Sequence, residues 1–362
     1  MWNQLPFDLL AHVFSFLPPD SLARAASACR HWRTCAEAAP PALFRRHPPW
    51  FMAMQTRDRS ATCYAHNLIL RRWYALPLDF LPHPIRPVSP IGSLLLCRPA
   101  LACSSLQQLI ICNPFSRWHR LLPPPNIPRA NPAVGVISPA ASGGTGGEGS
   151  FRVFVAGGTS SGSASYEATL EVYESERDGW RELGRMPAEF AIRLTVWTPS
   201  GSVHAGDSLY WMTSARAYTV VGSGWWREVK VPMAERLECA ALVRRRGRLA
   251  MFGGTCGGGG CVWELGEGDE WEVVEVVPGE MGRRLLRGKE RWGGTRCVGC
   301  DGAMCLYRDV GWGMVVCLWR EVGEKGGKWE WFWVDGYGGF GELPKVPVKG
   351  VLLHPSLAAA AV

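Results

Sequence analysis

The residues that could carry chemistry are few and scattered. Cys297-Val298-Gly299-Cys300, with Cys305 close by, resembles half of a metal site. A structural zinc needs four ligands at matched spacing. No second Cys-x-x-Cys pair exists, and His204 and His354 lie far off along the chain. Thiols buried in a strand pair are the better reading. Cys256 and Cys261 flank Gly257-Gly258-Gly259-Gly260, which reads as a hairpin turn rather than a redox pair. The stretch Gly253-Gly254-Thr255-Cys256-Gly257-Gly258 lacks the Gly-Lys-Ser/Thr ending and the following helix that a phosphate loop requires. The eight histidines have no motif partners, and no nucleophile elbow, His-Glu-x-x-His or kinase signature occurs. The expectation is therefore no catalytic residue, no metal and no cofactor. Two basic runs remain. Arg244-Arg245-Arg246-Gly247-Arg248 reads first as a solvated loop, with substrate contact or nuclear import as the alternatives. The second, from Arg283 to Arg291, falls in a long connection where an acidic partner could bind.

The first forty residues have a different character. Leu9, Val13, Phe14 and Leu17 recur at helical spacing and predict one apolar face. Pro6 suits the first turn of that helix, and Asp8 suits the positive end of its dipole. Pro18-Pro19 should stop it, with Asp20 or Ser21 capping the next. Leu22, Ala25, Ala26 and Cys29 continue the stripe, and Trp32 and Cys35 carry it into a third short helix that Pro40-Pro41 must end. So small a unit needs a partner or a neighbouring domain to bury its surface. An ordinary helical cap with its stripe turned inward would fit the periodicity equally well.

The order of these residues decides between the two. Leu5-Pro6, Asp8, Leu9, Val13-Phe14, Leu17-Pro18, Leu22 and Cys29-Arg30-His31-Trp32 resemble the F-box. That family's helical module docks a protein onto a cullin-based ubiquitin ligase. The pattern departs at Ala25, Ala26 and Ala28, where the family carries larger aliphatics. The resemblance implies that residues 1–45 bind the small adaptor subunit. Leu5, Pro6, Leu9, Val13, Phe14, Leu17, Pro18, Leu22 and Trp32 would be the contact or support residues.

The remaining chain is repetitive. Trp73, Trp118, Trp180, Trp226, Trp271 and Trp329 each follow a polar turn, and three of their successive gaps are 45 or 46 residues. That period is typical of propeller blades. Apolar runs end in glycine pairs, as at Gly157-Gly158 and Gly253-Gly254, expected to let blades converge on a central axis. Gly206-Asp207 and Arg246-Gly247 look like hairpin turns. The pattern predicts an all-β Kelch-like propeller of six blades over residues 50–355, with each tryptophan wedged between neighbours. A β-sandwich with tryptophan at its turns is the alternative. A flexible insertion is expected at about 140–150 and a long loop at about 280–292. Val346 to Leu353 is expected to close the ring against an N-terminal blade. Leu109-Ile110-Ile111-Cys112-Asn113-Pro114 resembles the Asn-Pro signature of plant F-box-associated propellers. The whole layout is similar to the plant F-box/Kelch group that includes the Unusual Floral Organs protein.

Bulk composition sets wide bounds. Hydrophobic residues are 47% of 362, enough for a large domain beside a small one. The net charge of +7 is mixed along the chain, so nucleic-acid binding is not favoured. No apolar run approaches a membrane span, and no basic region precedes an apolar core near the N-terminus. Scattered thiols in odd number point to the reducing cytoplasm or nucleus. The function expected is a substrate-recognition subunit, with the cullin reached indirectly and a substrate protein of unknown identity held by the propeller. A propeller enzyme and a transcriptional co-regulator that binds without degradation are the rivals.

Overall fold

The computed structural model describes residues 5–37, 47–55, 62–100, 108–138, 150–160, 165–196, 201–213, 216–221, 226–289, 291–308, 313–321, 327–336 and 347–357. The insertion expected at 140–150 lies, but for Ser150, outside the described residues, as does Pro40-Pro41.

Three helices come first: α1 (Phe7–Phe14), α2 (Pro19–Ala28) and α3 (Arg30–Glu37). Pro6 stands just ahead of α1 in extended backbone. The helix ends at Phe14, before the proline pair. Pro18 occupies the cap position of α2 and Pro19 its first turn, where a missing N–H leaves nothing unsatisfied. The expected Asp20 or Ser21 cap is thus displaced, because the prolines already fix the backbone entering the helix. Asp20 instead lies in the first turn, favourable to the dipole. At α3 the Cys29 sulfur accepts the Trp32 backbone N–H at 3.4 Å. This gives the Cys-Arg-x-Trp spacing a local reason, since a side chain three residues ahead can cap the first turn. Leu10, Phe14, Leu22, Cys35 and Ala36 form the small core.

An all-β propeller follows. The first sheet takes β1 (Trp50–Gln55), β2 (Thr62–Asn67) and β3 (Arg72–Pro77). The second contains β4 (Ile85–Ile91), β5 (Leu94–Pro99), β6 (Ile110–Asn113) and β7 (Trp118–Leu121). After it, β8 (Arg129–Ala130) leads into the third, made of β9 (Ala133–Ile137), β10 (Arg152–Ala156), β12 (Thr169–Glu174) and β13 (Gly179–Arg185), with β11 (Thr159–Ser160) returning to pair with β8. Helix α4 (Ala188–Val196) precedes the fourth sheet of β14 (Ser202–Ala205), β15 (Ser208–Thr213), β16 (Arg216–Val221) and β17 (Trp226–Lys230). The fifth holds β18 (Leu237–Arg245), β19 (Arg248–Thr255), β20 (Gly260–Leu265) and β21 (Trp271–Val276). Helix α5 (Gly279–Leu286) leads to the sixth: β22 (Thr295–Cys300), β23 (Ala303–Arg308), β24 (Gly313–Glu321) and β25 (Gly327–Asp335). Finally β26 (Val348–Leu353) pairs antiparallel with β1, from Trp50↔Leu353 to Gln55↔Val348. Among the described residues there are thus six four-stranded sheets, the first completed by a strand from the far end of the chain.

Shared cores run around the ring. Met52, Leu95 and Val351 sit in one cluster between the first and second sheets. Tyr173 and Ile111 belong to the next. Trp211 and Phe154 join the third and fourth sheets, and Met251 and Tyr210 the fourth and fifth. Phe252 and Leu306 join the fifth and sixth, and Tyr307 and Phe51 the sixth and first. Strands β4, β9, β14, β18, β22 and β26 each touch two others of this set and line the axis.

The tryptophans of the 45-residue period all fall on the outermost strands β3, β7, β13, β17, β21 and β25. Three donate an indole N–H to a backbone carbonyl of the preceding sheet's end. Trp73 reaches Asp335 at 3.2 Å, Trp180 reaches Pro123 at 2.7 Å, and Trp271 reaches Lys230 at 2.7 Å. Arg246 and Gly247 both have positive φ in a two-residue turn between Arg245 and Arg248, the geometry a hairpin prefers.

Two expectations are corrected. The glycine pairs do not converge on the axis. Gly253 and Gly254 lie on β19, one strand out, and make room for Leu237, Trp263 and Trp292; a Cβ on Gly254 would stand 2.2 Å from Trp292 Cγ. The inner strands use Gly135, Gly299 and Gly350 for close approach instead. The stretch at 280–292 is not a long loop either. Helix α5 buries Leu285 and Leu286 in the core between the fifth and sixth sheets, and Trp292 follows them in. The arginines dominate the sequence there, but the apolar pair decides where the segment packs.

Candidate functional site

Helix α1 carries two apolar stripes rather than one. Leu10 and Phe14, four residues apart, point inward and are buried. Phe14 meets the Trp32 ring edge-on at 5.4 Å between centroids. Leu9 and Val13 lie on the outer stripe at 54% and 44% exposure, continued by Phe16 at 55%, while Phe7 stands on the other side of the helix, edge-on to His31. A folded helical module rarely leaves three large apolar side chains together in water without a partner to cover them.

The structure divides the nine residues expected to meet the adaptor. Pro6, Leu9 and Val13 are accessible; Leu5, Leu17, Pro18 and Trp32 are half-buried; Phe14 and Leu22 belong to the module's own core. Those two can act only by supporting the face. Phe16 belongs to the outer stripe but was not among the nine, and Leu10 is a core residue that the single-face reading left out. The signal was present in the spacing: Leu9/Val13/Phe16 and Leu10/Phe14/Leu17 are two parallel stripes, each at helical period.

The module leans on the propeller through α2. Pro19, Leu22, Trp50, Tyr74, Phe115 and Leu357 line a cavity of about 320 Å³ at the seam. Trp50 stacks on Tyr74 at 5.0 Å. Asn113 fastens the second sheet to the stretch after β26. Its amide donates to the Ser356 carbonyl at 2.9 Å, while its Oδ1 accepts the backbone N–H groups of Phe115 and Ser116. Leu357 then packs on the helical core.

The other candidates resolve into structure. Cys297 packs between the fifth and sixth sheets, whereas Cys300 packs between the sixth and first. An odd spacing within one strand sends side chains to opposite faces, so the pair cannot close on one ion. Burial pushes the thiols of Cys297, Cys300 and Cys305 up. Cys256 and Cys261 bracket a turn in which the Gly258 N–H donates to the Thr255 carbonyl at 3.1 Å. The Arg244–Arg248 run is not a solvated loop. Arg244 pairs with Asp301 at 2.6 Å, Arg245 with Glu264 at 2.9 Å, and Arg248 with Glu264 at 3.4 Å. Arg245 and Arg246 also lie over the rings of Trp329 and Trp319. In the second basic stretch Arg284 pairs with Asp335 at 2.7 Å and covers Trp333. A wholly buried ion pair, Arg129–Glu171 at 2.6 Å, was not foreseen. Arg129 also donates to the Gly157 and Thr169 carbonyls, and Glu171 accepts the N–H groups of Asn126 and Ile127. These bonds clasp the connection that runs from β7 towards β9.

Residues 2–47 match the family described as F-box-like. Over 322 residues the chain is 23% identical to F-box/kelch-repeat protein At3g61590 of Arabidopsis thaliana, covering 80% of this chain and 71% of that protein. It is 24% identical over 302 residues to F-box only protein 6 of the same plant, covering 77% of this chain and 59% of the relative. A third relative, F-box/kelch-repeat protein At5g43190 of Arabidopsis thaliana, is 26% identical over 307 residues, with 79% and 71% covered. Among solved structures, a functionally unknown protein from Desulfotomaculum acetoxidans DSM 771 aligns over 86% of this chain and 84% of its own, at 7% identity and a TM-score of 0.39.

Proposed function

We propose that this protein is the substrate-recognition subunit of an adaptor–cullin–F-box ubiquitin ligase. One observation carries the reading. Within a segment that matches the F-box-like family, Leu9, Val13 and, just past the helix end, Phe16 form an exposed apolar stripe beside the Leu10 and Phe14 stripe that is already buried. Each such side chain, once covered, contributes roughly 1.5–3 kcal/mol, of which only the surplus over ordering becomes affinity. The adaptor subunit is the occupant we assign to that face, with the cullin reached through it. The propeller would hold a client protein. Its contribution is proximity, raising the client's effective concentration near the charged transfer enzyme, while bond chemistry lies with other subunits.

The finer readings rest on the same footing. Counting each four-stranded sheet as one blade gives six, a reading supported by the cyclic succession of shared cores. A place in the group that includes the Unusual Floral Organs protein is supported by the F-box residue order and by Asn113-Pro114. The division into an F-box over 1–45 and a propeller over 50–355 is supported by where the helices and strands fall. A cytoplasmic or nuclear location is supported by free thiols such as Cys63, Cys97 and Cys112.

The test is co-purification. Full-length protein should capture the adaptor and cullin, and a chain lacking residues 1–45 should capture neither. Leu9→Asp should abolish capture without lowering the melting temperature, because the position is exposed in the free chain. Adaptor recovery at wild-type yield with Leu9→Asp would sink the proposal. Proteasome inhibition then separates clients: a degraded one accumulates, and one bound for transcriptional co-regulation does not.

A further inference from the structure

Helix α2 and the propeller enclose a cavity of about 320 Å³ at their seam. That is the scale of small-molecule sites, roughly 300–1,000 Å³, which favour junctions between structural units. Its propeller wall is aromatic. Trp50 stacks on Tyr74 at an interplanar angle of 21°, and Phe115 meets Trp50 edge-on at 5.6 Å between centroids. The helix wall carries Leu22 and one acceptor out of keeping with the rest. Asp20 lines the cavity, and its Oδ1 is buried with no hydrogen-bond partner. Arg24, one turn further along α2, is exposed beside the same cavity and forms no bond to that oxygen. A buried acceptor left unpaired is costly, so this atom calls for a donor.

We propose that this cavity binds a small arylalkylamine, its ring against Trp50, Tyr74 and Phe115 and its ammonium donating to Asp20. Aromatic walls hold a flat ring through area burial and offset or edge-on contacts. The faces of tryptophan and tyrosine also attract a cation. An ammonium that meets a carboxylate away from water forms the stronger, charge-assisted kind of hydrogen bond. Other chemistries fit less well. A carboxylic acid or a phosphate would bring a like charge against Asp20. An aliphatic ligand would leave the Asp20 oxygen unmet. A peptide segment would bring backbone N–H and C=O groups, for which the apolar walls offer few partners. The site uses α2 and the propeller, not the exposed stripe of α1, so it stands independently of the adaptor reading.

Calorimetric titration of the full-length protein with tryptamine tests this, with tryptophol as the neutral isostere and indole-3-propionate as the acid. Tryptamine should bind once per chain and roughly tenfold more tightly than tryptophol, the gain from charge on one hydrogen bond. Indole-3-propionate should not bind. Asp20→Asn keeps the shape and removes the charge, so it should erase the advantage of tryptamine over tryptophol. Ala23 also lines the cavity, and Ala23→Phe should fill it and abolish binding of both. If that variant fails to fold, Asp20→Asn at its partly exposed position reads the assignment by itself. Arg177→Ala, on the exposed turn after β12, should leave every affinity unchanged. Absence of tryptamine binding, equal affinity for tryptophol, or an undiminished preference in Asp20→Asn would each overturn the assignment. So would a dimer in sedimentation that Ala23→Phe dissociates, since a second copy would then be the occupant.

Discussion

His66 shows how much one buried ring can decide. Its two nitrogens have no hydrogen-bond partner, and the ring packs against Trp73 at 4.8 Å. Burial, helped by the charge of Arg71, lowers its pKa to about 4. The unfolded chain takes up a proton near the ordinary histidine value of about 6.5, while the folded protein does not. Stability is therefore full above that value and falls as pH drops towards 4, by roughly 3 kcal/mol in all. His66→Phe should flatten most of this slope in melts taken across pH 4–7. A remaining slope is expected from His204, which burial and Arg244 also lower. The Arg129–Glu171 pair makes a different prediction. Arg129→Ala should cost about 3–5 kcal/mol in a urea melt, because it strands a buried carboxylate. Arg129→Met with Glu171→Leu should recover much of that loss, and a double variant no better than the single would refute it. Neither residue announced itself in the sequence, since burial of a charged side chain depends on contacts 42 positions apart.

At the scale of elements, legibility followed periodicity. The tryptophan recurrence marked the outermost strands because an indole at the sheet edge needs both an apolar wall and an acceptor, and each unit repeats that need. Trp271→Phe should lose the bond to the Lys230 carbonyl and cost about 1 kcal/mol in a denaturant titration. A change beyond about 3 kcal/mol would mean that the ring face, not the bond, holds that junction. Helix α1 was legible as a helix but not in its orientation. Periodicity gives stripes, and only the packing of α2 and α3 says that Leu10 and Phe14 turn inward while Leu9 and Val13 stay outside. Helix α5 was missed because Arg283, Arg284 and Arg287 outweigh two leucines in any local reading, whereas the fold weighs only what it buries. The cysteine spacing was legible for a related reason: Cys297, Cys300 and Cys305 fall in a strand pair, as their apolar setting suggested, and Cys-x-x-Cys within a strand sends its two thiols to opposite faces.

The whole molecule depends on a single non-local pairing. Strand β26 fills the position next to β1, and without it the first sheet would keep three strands and an open inner edge. Removing residues 345–362 should therefore lower the melting temperature sharply; an unchanged curve would show that the ring holds without its clasp. The same stretch carries Ser356 and Leu357, which meet Asn113 and the helical core, so the deletion should also loosen the helices from the propeller.

That pairing also has a consequence for biogenesis. Translation delivers β1 long before β26, about 300 residues later, which at roughly 5–20 residues per second leaves the edge of β1 bare for about 15–60 s. Throughout that interval the nascent chain displays Trp50, Phe51 and Met52 on a strand paired with β2 on one side only, its other edge open to a neighbour's strand. A ribosome that stalls in the last blade would therefore release an adhesive product rather than a smaller propeller, and chaperone cover should be needed most at the very end of synthesis.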